Sequence, residues 1–158
     1  MTLRMFDDPI LHTPCEPVSE KFPDTTAAIA DMERVLHSHA NGVGLAAPQA
    51  GHSLRIIMLR PVIDGPIQTF INPEIVSHGP RTKVESEGCL SFPKVSARVK
   101  RWTFIRLRWF DDTTHRTIEA NFHGWHARII QHEIDHLNGV SKVGDAWRMQ
   151  QKRKLVTE

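Results

Sequence analysis

The sequence predicts an α+β domain in which mainly antiparallel strands pack around one central buried helix, the helix that carries His132-Glu133-Ile134-Asp135-His136. Three observations lead to this. Short apolar runs bounded by Pro and Gly recur without the regular helix–strand alternation that a parallel sheet requires. The runs at 104–110 and 117–123 are joined by Asp111-Asp112-Thr113-Thr114, the turn chemistry of an antiparallel hairpin. The segment 124–138 has helical periodicity but only a narrow polar strip, so it belongs in the interior.

Taken in chain order, Pro9, Pro14, Pro17 and Pro23 each fix φ and remove a backbone donor, which predicts an extended lead-in. A helix follows, with Asp24 as its cap, Ile29, Met32 and Leu36 at helical spacing, and Asn41-Gly42 as its stop. The two glycines and the proline of Gly42-Val43-Gly44-Leu45-Ala46-Ala47-Pro48-Gln49 suit neither helix nor strand interior and predict a shaped loop. Strands are expected at 54–60, 70–76, 104–110 and 117–123. The last long helix begins near Gly124 and is stopped by Gly139. On it Trp125, Ile129, His132 and His136 share one face, and Ala127, Ile130, Ile134 and Leu137 form the opposite one. The remaining strip is Arg128, Gln131 and Asp135.

The 158 residues fit one domain over 1–158, and 40% hydrophobic with 24% charged residues excludes disorder and fibrous repeats. A net charge of +2 is too balanced for the broad electrostatic footprint of a specific nucleic-acid binder. Cys15 and Cys89 are the only cysteines, and without a Cys-x-x-Cys pair neither a disulfide framework nor a zinc ribbon is expected. No apolar run reaches membrane-spanning length, and residues 1–9 carry Arg4, Asp7 and Asp8 rather than an apolar leader. The expected setting is therefore the cytoplasm, with no membrane partner. Ten histidines in a chain without tyrosine direct attention to metal binding.

His132-Glu133-Ile134-Asp135-His136 is an H-E-x-x-H pattern on a predicted helix, where two imidazoles one turn apart can grip one ion while the glutamate faces water beside it. The bland alternative, two hydrogen-bonded core histidines, fits poorly with a stripe otherwise made of Trp125 and Ile129. A third ligand decides the class. Lys142 stands where a metzincin has its third histidine, and downstream of His136 the only acids are Asp145 and Glu158. Upstream, Glu87-Gly88-Cys89-Leu90-Ser91 makes Cys89 the best candidate.

Three segments in this order, Gly42-Val43-Gly44-Leu45-Ala46-Ala47-Pro48-Gln49, Glu87-Gly88-Cys89-Leu90-Ser91 and Gln131-His132-Glu133-Ile134-Asp135-His136-Leu137, resemble the three signature motifs of the peptide deformylases. The resemblance runs from Asp8-Pro9-Ile10-Leu11 through Ile71-Asn72-Pro73 to Asn138-Gly139. It implies a hydrolase that removes the formyl group from the N-terminal formyl-methionine of nascent polypeptides and releases formate. It also implies one divalent metal ion, natively Fe²⁺ and replaceable by Zn²⁺, Ni²⁺ or Co²⁺, held by Cys89, His132 and His136. By the same resemblance Glu133 moves the proton, and Gln49 with the backbone N–H of Leu90 stabilises the oxyanion. Gly44 and Gly88 would let the peptide backbone approach, and Val43, Trp125 and Ile129 would line the methionine pocket.

Glu87 is expected to accept a hydrogen bond from a ligand imidazole, Gln131 to lie on the helix surface or behind a ligand, and Asp135 to orient neighbours or form an ion pair. Cys15 reads as a plain free thiol. Two departures from the family pattern stand out: Val140-Ser141-Lys142-Val143-Gly144-Asp145 is unusually polar, and Trp125 is bulkier than the leucine of many members. Two other readings remain open, a metallo-amidase for another N-acyl peptide or small formamide, and a non-catalytic metal-binding module. A basic helix over 145–156, capped by Asp145, would permit weak ribosome docking, set against a solvated, frayed tail.

Overall fold

The computed structural model describes residues 2–19 and 25–157. Its elements are α1 (Thr25–His37), β1 (Gly44–Ala46), β2 (Ile56–Leu59), β3 (Gln68–His78), β4 (Thr82–Cys89), β5 (Phe92–Trp102), β6 (Phe104–Asp111), β7 (Arg116–His123), α2 (Gly124–Leu137) and α3 (Lys142–Thr157). The strands form a five-stranded sheet in the order β1-β2-β3-β6-β7 and a separate hairpin, β4-β5, and every pairing between named strands is antiparallel. The expected hairpin is present as β6 and β7, with Phe104 opposite His123 and Asp111 opposite Arg116.

α2 lies against one face of the sheet. Ala127, Ile130, Ile134 and Leu137 meet Ile57, Leu59, Phe70, Ile105, Leu107 and Trp109 in the main core. Burying each large aliphatic side chain there contributes about 1.5–3 kcal/mol relative to exposure. The opposite face of β1 and β2 is covered as well, because Leu45, Ile56 and Met58 pack on Met32, Val35 and Leu36 of α1. That two-sided burial explains why β2 reads Ile-Ile-Met-Leu without alternation. A third cluster joins Leu11, Phe92, Val95 and Val143, and it seats α3 against β5.

Several expectations are corrected. The lead-in is not extended throughout, because Pro9–His12 forms a 3-10 turn whose start is held by Asp8 Oδ1 accepting from Ile10 N–H. The segment 42–49 is not a loop: Gly44–Ala46 pairs with β2 and Ala47–Ala50 is a second 3-10 turn. α1 ends at His37, before Asn41-Gly42, where the buried Arg60 guanidinium takes the carbonyls of Leu36, His39 and Gly42. Asp24, its expected cap, lies outside the described residues. Strands β4 and β5 were not anticipated. α3 starts at Lys142 rather than Asp145, with Ser141 Oγ accepting from Gly144 N–H as the true cap. Val143 is fully buried, so the polar segment after α2 still packs.

Candidate metal centre

Two elements build the site. α2 presents His132 and His136 one turn apart, and β4 delivers Cys89 at its end, where the β4-β5 register shifts between Gly88 and Cys89. α2 is stopped by Gly139, whose φ is +73° and whose Cβ, were there one, would stand 2.8 Å from His12 O. The ligand atoms of Cys89, His132 and His136 all lie within 4.8 Å of one another. Cys89 Sγ is 3.4 Å from His136 Nε2. One thiolate and two imidazoles form a soft to borderline donor set that suits Fe²⁺, Zn²⁺, Ni²⁺ or Co²⁺ and not Mg²⁺ or Ca²⁺. A buried carboxylate oxygen beside the cluster, Glu133 Oε2, has no hydrogen-bond partner among the described residues. These residues therefore fit a metal ion with a further position open beside Glu133.

His132 is aimed by Glu87. Its Nδ1 stands 2.8 Å from Glu87 Oε1, while Arg101 donates to both oxygens of the same carboxylate at 2.9 and 3.0 Å and Arg128 donates at 2.6 Å. Burial alone would raise the Glu87 carboxyl, but the hydrogen bonds from His132 and Arg101 and the Arg101 charge outweigh it and hold the group at about 2. An ionised carboxylate only accepts, so Nδ1 carries the hydrogen and Nε2 keeps its lone pair for an ion. Arg101 also reaches Asp135 at 2.6 Å, and Arg128 reaches Glu85 at 3.2 Å. The polar strip of α2 is thus the face that locks onto the β4-β5 hairpin. Gln131 completes it, exchanging two hydrogen bonds with the backbone of Trp102.

Glu133 is 3% exposed, with Oε1 3.7 Å from His132 Nε2. Burial pushes its carboxyl up to about 7. Such a group can take and return a proton near neutrality. Gln49 is fully buried in the second 3-10 turn. Its Oε1 accepts from Ala46 N–H, while its Nε2 donates to Ser91 Oγ at 3.0 Å and lies 3.6 Å from Cys89 Sγ. Leu90 occupies the turn between β4 and β5, next to Cys89.

A cavity of about 350 Å³ opens onto these groups, and Val43, Gly44, Gly88, Leu90, Trp125 and Ile129 are all in its wall. Every site residue expected from the sequence is thereby brought to one place. Gly44 has a further reason to be glycine, since a Cβ there would come within 2.7 Å of Ile129 Cγ2 and 3.2 Å of Glu133 Cγ. Arg101, Arg128, Ser86 and Ser91 were not singled out as site residues by sequence reasoning. Arg101 had a signal: it follows Val95 and Val99 at even spacing, a charge on an apolar strand face, visible only once β5 is recognised.

The polypeptide deformylase family model matches residues 1–152. The chain belongs to that family. Among deformylase relatives, the peptide deformylase of Thermotoga petrophila is 40% identical over 159 residues, spanning 98% of this chain and 93% of that one. That of Treponema pallidum is 38% identical over 141 residues, covering 89% and 84%. Among solved deformylases, the crystal structure from Thermotoga maritima superposes with a TM-score of 0.78 at 37% identity, covering 88% of this chain and 92% of that chain. The Synechococcus elongatus deformylase, solved in complex with actinonin, gives 0.84 at 30% identity, covering 96% and 88%. The α+β architecture expected of a deformylase is the one observed. Among the described residues no helix is long and apolar enough to cross a membrane.

Proposed function

We propose that residues 1–158 form a single catalytic domain that removes the formyl group from the N-terminal formyl-methionine of nascent polypeptides, working in the cytoplasm. One observation carries this reading: Cys89, His132 and the unpartnered buried carboxylate of Glu133 line the same cavity, with His136 within ligand reach of the first two. Cys89, His132 and His136 would hold the ion, Fe²⁺ in the cell, with Zn²⁺, Ni²⁺ or Co²⁺ able to replace it. Such an ion would supply Lewis acidity, bringing the pKa of a water far down, to about 7.

The chain's own residues supply the rest. Val43, Trp125, Ile129 and the edge of His132 receive the methionine side chain, and the open backbone at Gly44 and Gly88 takes the peptide in an extended form. Glu133 accepts the proton of the attacking water and returns it to the departing α-amine. Gln49 Nε2 and the Leu90 N–H donate to the oxygen on which negative charge develops, in a site that needs no reorganisation. Formate release from a formyl-Met peptide, measured beside an acetyl-Met peptide, tests the reading. Release from the formyl peptide alone is the expected result, whereas no formate from the metal-loaded protein would overturn it.

Glu87 is the residue that aims His132, so Glu87→Ala is expected to weaken metal affinity about 10–100-fold, the usual cost of losing such a partner. Competition with a chromophoric chelator measures this, and wild-type affinity would remove Glu87 from the centre. Glu87→Gln, which still accepts from Nδ1, should recover part of the loss.

α3 exposes Lys152, Arg153 and Lys154 beyond Arg148, which is tied to Asp145 at 3.0 Å. We propose that this end of the helix docks weakly on the ribosome, where formylated N-termini emerge. Such docking is electrostatic and falls steeply with salt. Co-sedimentation at low and moderate salt should show pelleting that is lost in the triple alanine variant at 152–154. Equal pelleting of both proteins would reject docking and leave the active-site assignment intact.

A further inference from the structure

The first residues of the chain are stitched to the segments that carry Gln49 and Ser91. Arg4 N–H donates to Gln49 O at 2.7 Å, and Phe6 N–H donates to Ser91 O at 3.0 Å. Phe6 is held in turn by Trp147 of α3, with ring centroids 5.3 Å apart. The Ser91 hydroxyl is fully buried, 2.7 Å from Arg4 O and 3.0 Å from Gln49 Nε2. These contacts admit one arrangement of hydrogens. A backbone carbonyl only accepts, so the single hydroxyl hydrogen of Ser91 goes to Arg4 O. The hydroxyl oxygen then turns only lone pairs toward Gln49 and requires a donor there, which is Nε2 and not Oε1. At the other end of the amide Ala46 N–H, which only donates, takes Oε1 at 3.0 Å. With one Nε2 hydrogen committed to Ser91, the planar amide fixes the direction of the other, whose neighbour is Cys89 Sγ at 3.6 Å.

Resting on the deformylase reading, we infer that the N-terminal segment is a positioning element of the reaction: the Arg4 carbonyl, acting through the Ser91 hydroxyl, fixes the polarity of the Gln49 amide so that a hydrogen and not an oxygen faces the metal centre. Arg4 and Ser91 touch no reacting atom and act only through Gln49. A flipped amide would turn Oε1 toward the ligands, where it repels the negative charge that develops in the reaction. Once the Arg4 carbonyl is displaced, the hydroxyl can rotate and donate to Gln49 Oε1, so Ser91 no longer distinguishes the two orientations. Only the Ala46 N–H then holds the amide. A donor that must be oriented during the reaction stabilises the oxyanion less than one already in place.

The experiment measures kcat and KM for a formyl-Met tripeptide with the metal-loaded full chain. Ser91→Ala and Arg4→Pro are each made in wild type and in a Gln49→Ala background, with metal content and thermal unfolding recorded for every variant. Proline removes the N–H that ties residue 4 to Gln49 O and so frees the carbonyl beside it. Losing an oxyanion donor outright costs about 10²–10³-fold in kcat, and disorienting one costs part of that, so each single variant is expected to lose about tenfold. KM and metal content should stay at their wild-type values. In the Gln49→Ala background the same substitutions should change kcat by less than about twofold, because groups that act through Gln49 have nothing left to orient. Equal losses in the two backgrounds would make the segment merely structural and overturn the inference, as would unchanged kcat in folded, metal-replete Ser91→Ala. Wild type inactive on the tripeptide would instead overturn the deformylase reading, and this inference with it. If Gln49→Ala does not fold, Gln49→Leu supplies the background and the same comparison decides.

Discussion

Replacing Glu133 with alanine is expected to leave one metal ion bound per chain and to lower kcat/KM by about 10²–10⁴-fold, the contribution usual for a positioned general acid–base. The separation of the two effects follows from geometry. The ligand atoms belong to Cys89, His132 and His136, while Glu133 stands beside them with Oε2 buried and unpartnered. The same burial that pushes its carboxyl up to about 7 makes it a destabilising element of the fold. Thermal unfolding of Glu133→Ala or Glu133→Gln should therefore occur at or above the wild-type temperature, as when a strained functional group is removed from an active site. Metal analysis, steady-state kinetics and a melting curve on the same preparation check all three outcomes. Near-wild-type turnover would take Glu133 out of the mechanism, and loss of the ion would make it a ligand.

The parts of the fold that were legible in the sequence are those whose burial follows simple periodicity. α2 shows its apolar face through Ala127, Ile130, Ile134 and Leu137, and β6 alternates Ile105, Leu107 and Trp109 with exposed or half-buried positions. β4 defeats that rule because its pattern is inverted. Its inward positions include Glu85 and Glu87, whereas Val84 faces outward and is 42% exposed. The inversion has a cause: the inner face of the β4-β5 hairpin meets the polar strip of α2, and Arg101, Arg128, Glu87 and Asp135 join the two elements by ion pairs instead of apolar contact. Neither half of that network reads as buried until the other is known. A buried cluster of this kind is poorly interchangeable, since removing one partner of such a pair costs about 3–5 kcal/mol.

The site was more legible than the fold around it because its chemistry is local. His132, Glu133 and His136 follow from spacing on one helix, and the three motifs place Gln49, Leu90 and Cys89 beside them. What spacing could not supply is the support. Arg60 holds the chain into β1 by taking three carbonyls between Leu36 and Gly42, and Ser91 orients Gln49 while its own hydroxyl donates to Arg4 O at 2.7 Å. These partners lie 18 to 87 residues apart in sequence, so only the folded chain brings them together.

Cys89→Ser is expected to bind metal more than about 100-fold more weakly than wild type, because loss of an outer partner alone already costs 10–100-fold and here a ligand is altered. The substitution replaces a soft, anionic sulfur by a hard hydroxyl at a site whose other donors are two neutral imidazoles. Sγ lies 3.4 Å from His136 Nε2 and 3.6 Å from Gln49 Nε2, so the serine oxygen also loses reach within the cluster. The deficit should persist for Fe²⁺, Zn²⁺, Ni²⁺ and Co²⁺ alike, under aerobic and anaerobic conditions. Wild type should behave differently in one respect. Cys89 is partly exposed at the cavity, so oxygen can reach both an Fe²⁺ ion there and the thiolate that holds it. Aerobic purification is then expected to yield weak activity, which anaerobic Fe²⁺ loading or substitution by Ni²⁺ or Co²⁺ restores. Metal content by elemental analysis, read beside kcat/KM for each form, separates the two claims. Full metal binding by Cys89→Ser would remove Cys89 from the ligand set, whereas equal activity of the aerobic Zn²⁺ and anaerobic Fe²⁺ forms would refute the assignment of Fe²⁺ and leave the ligands in place.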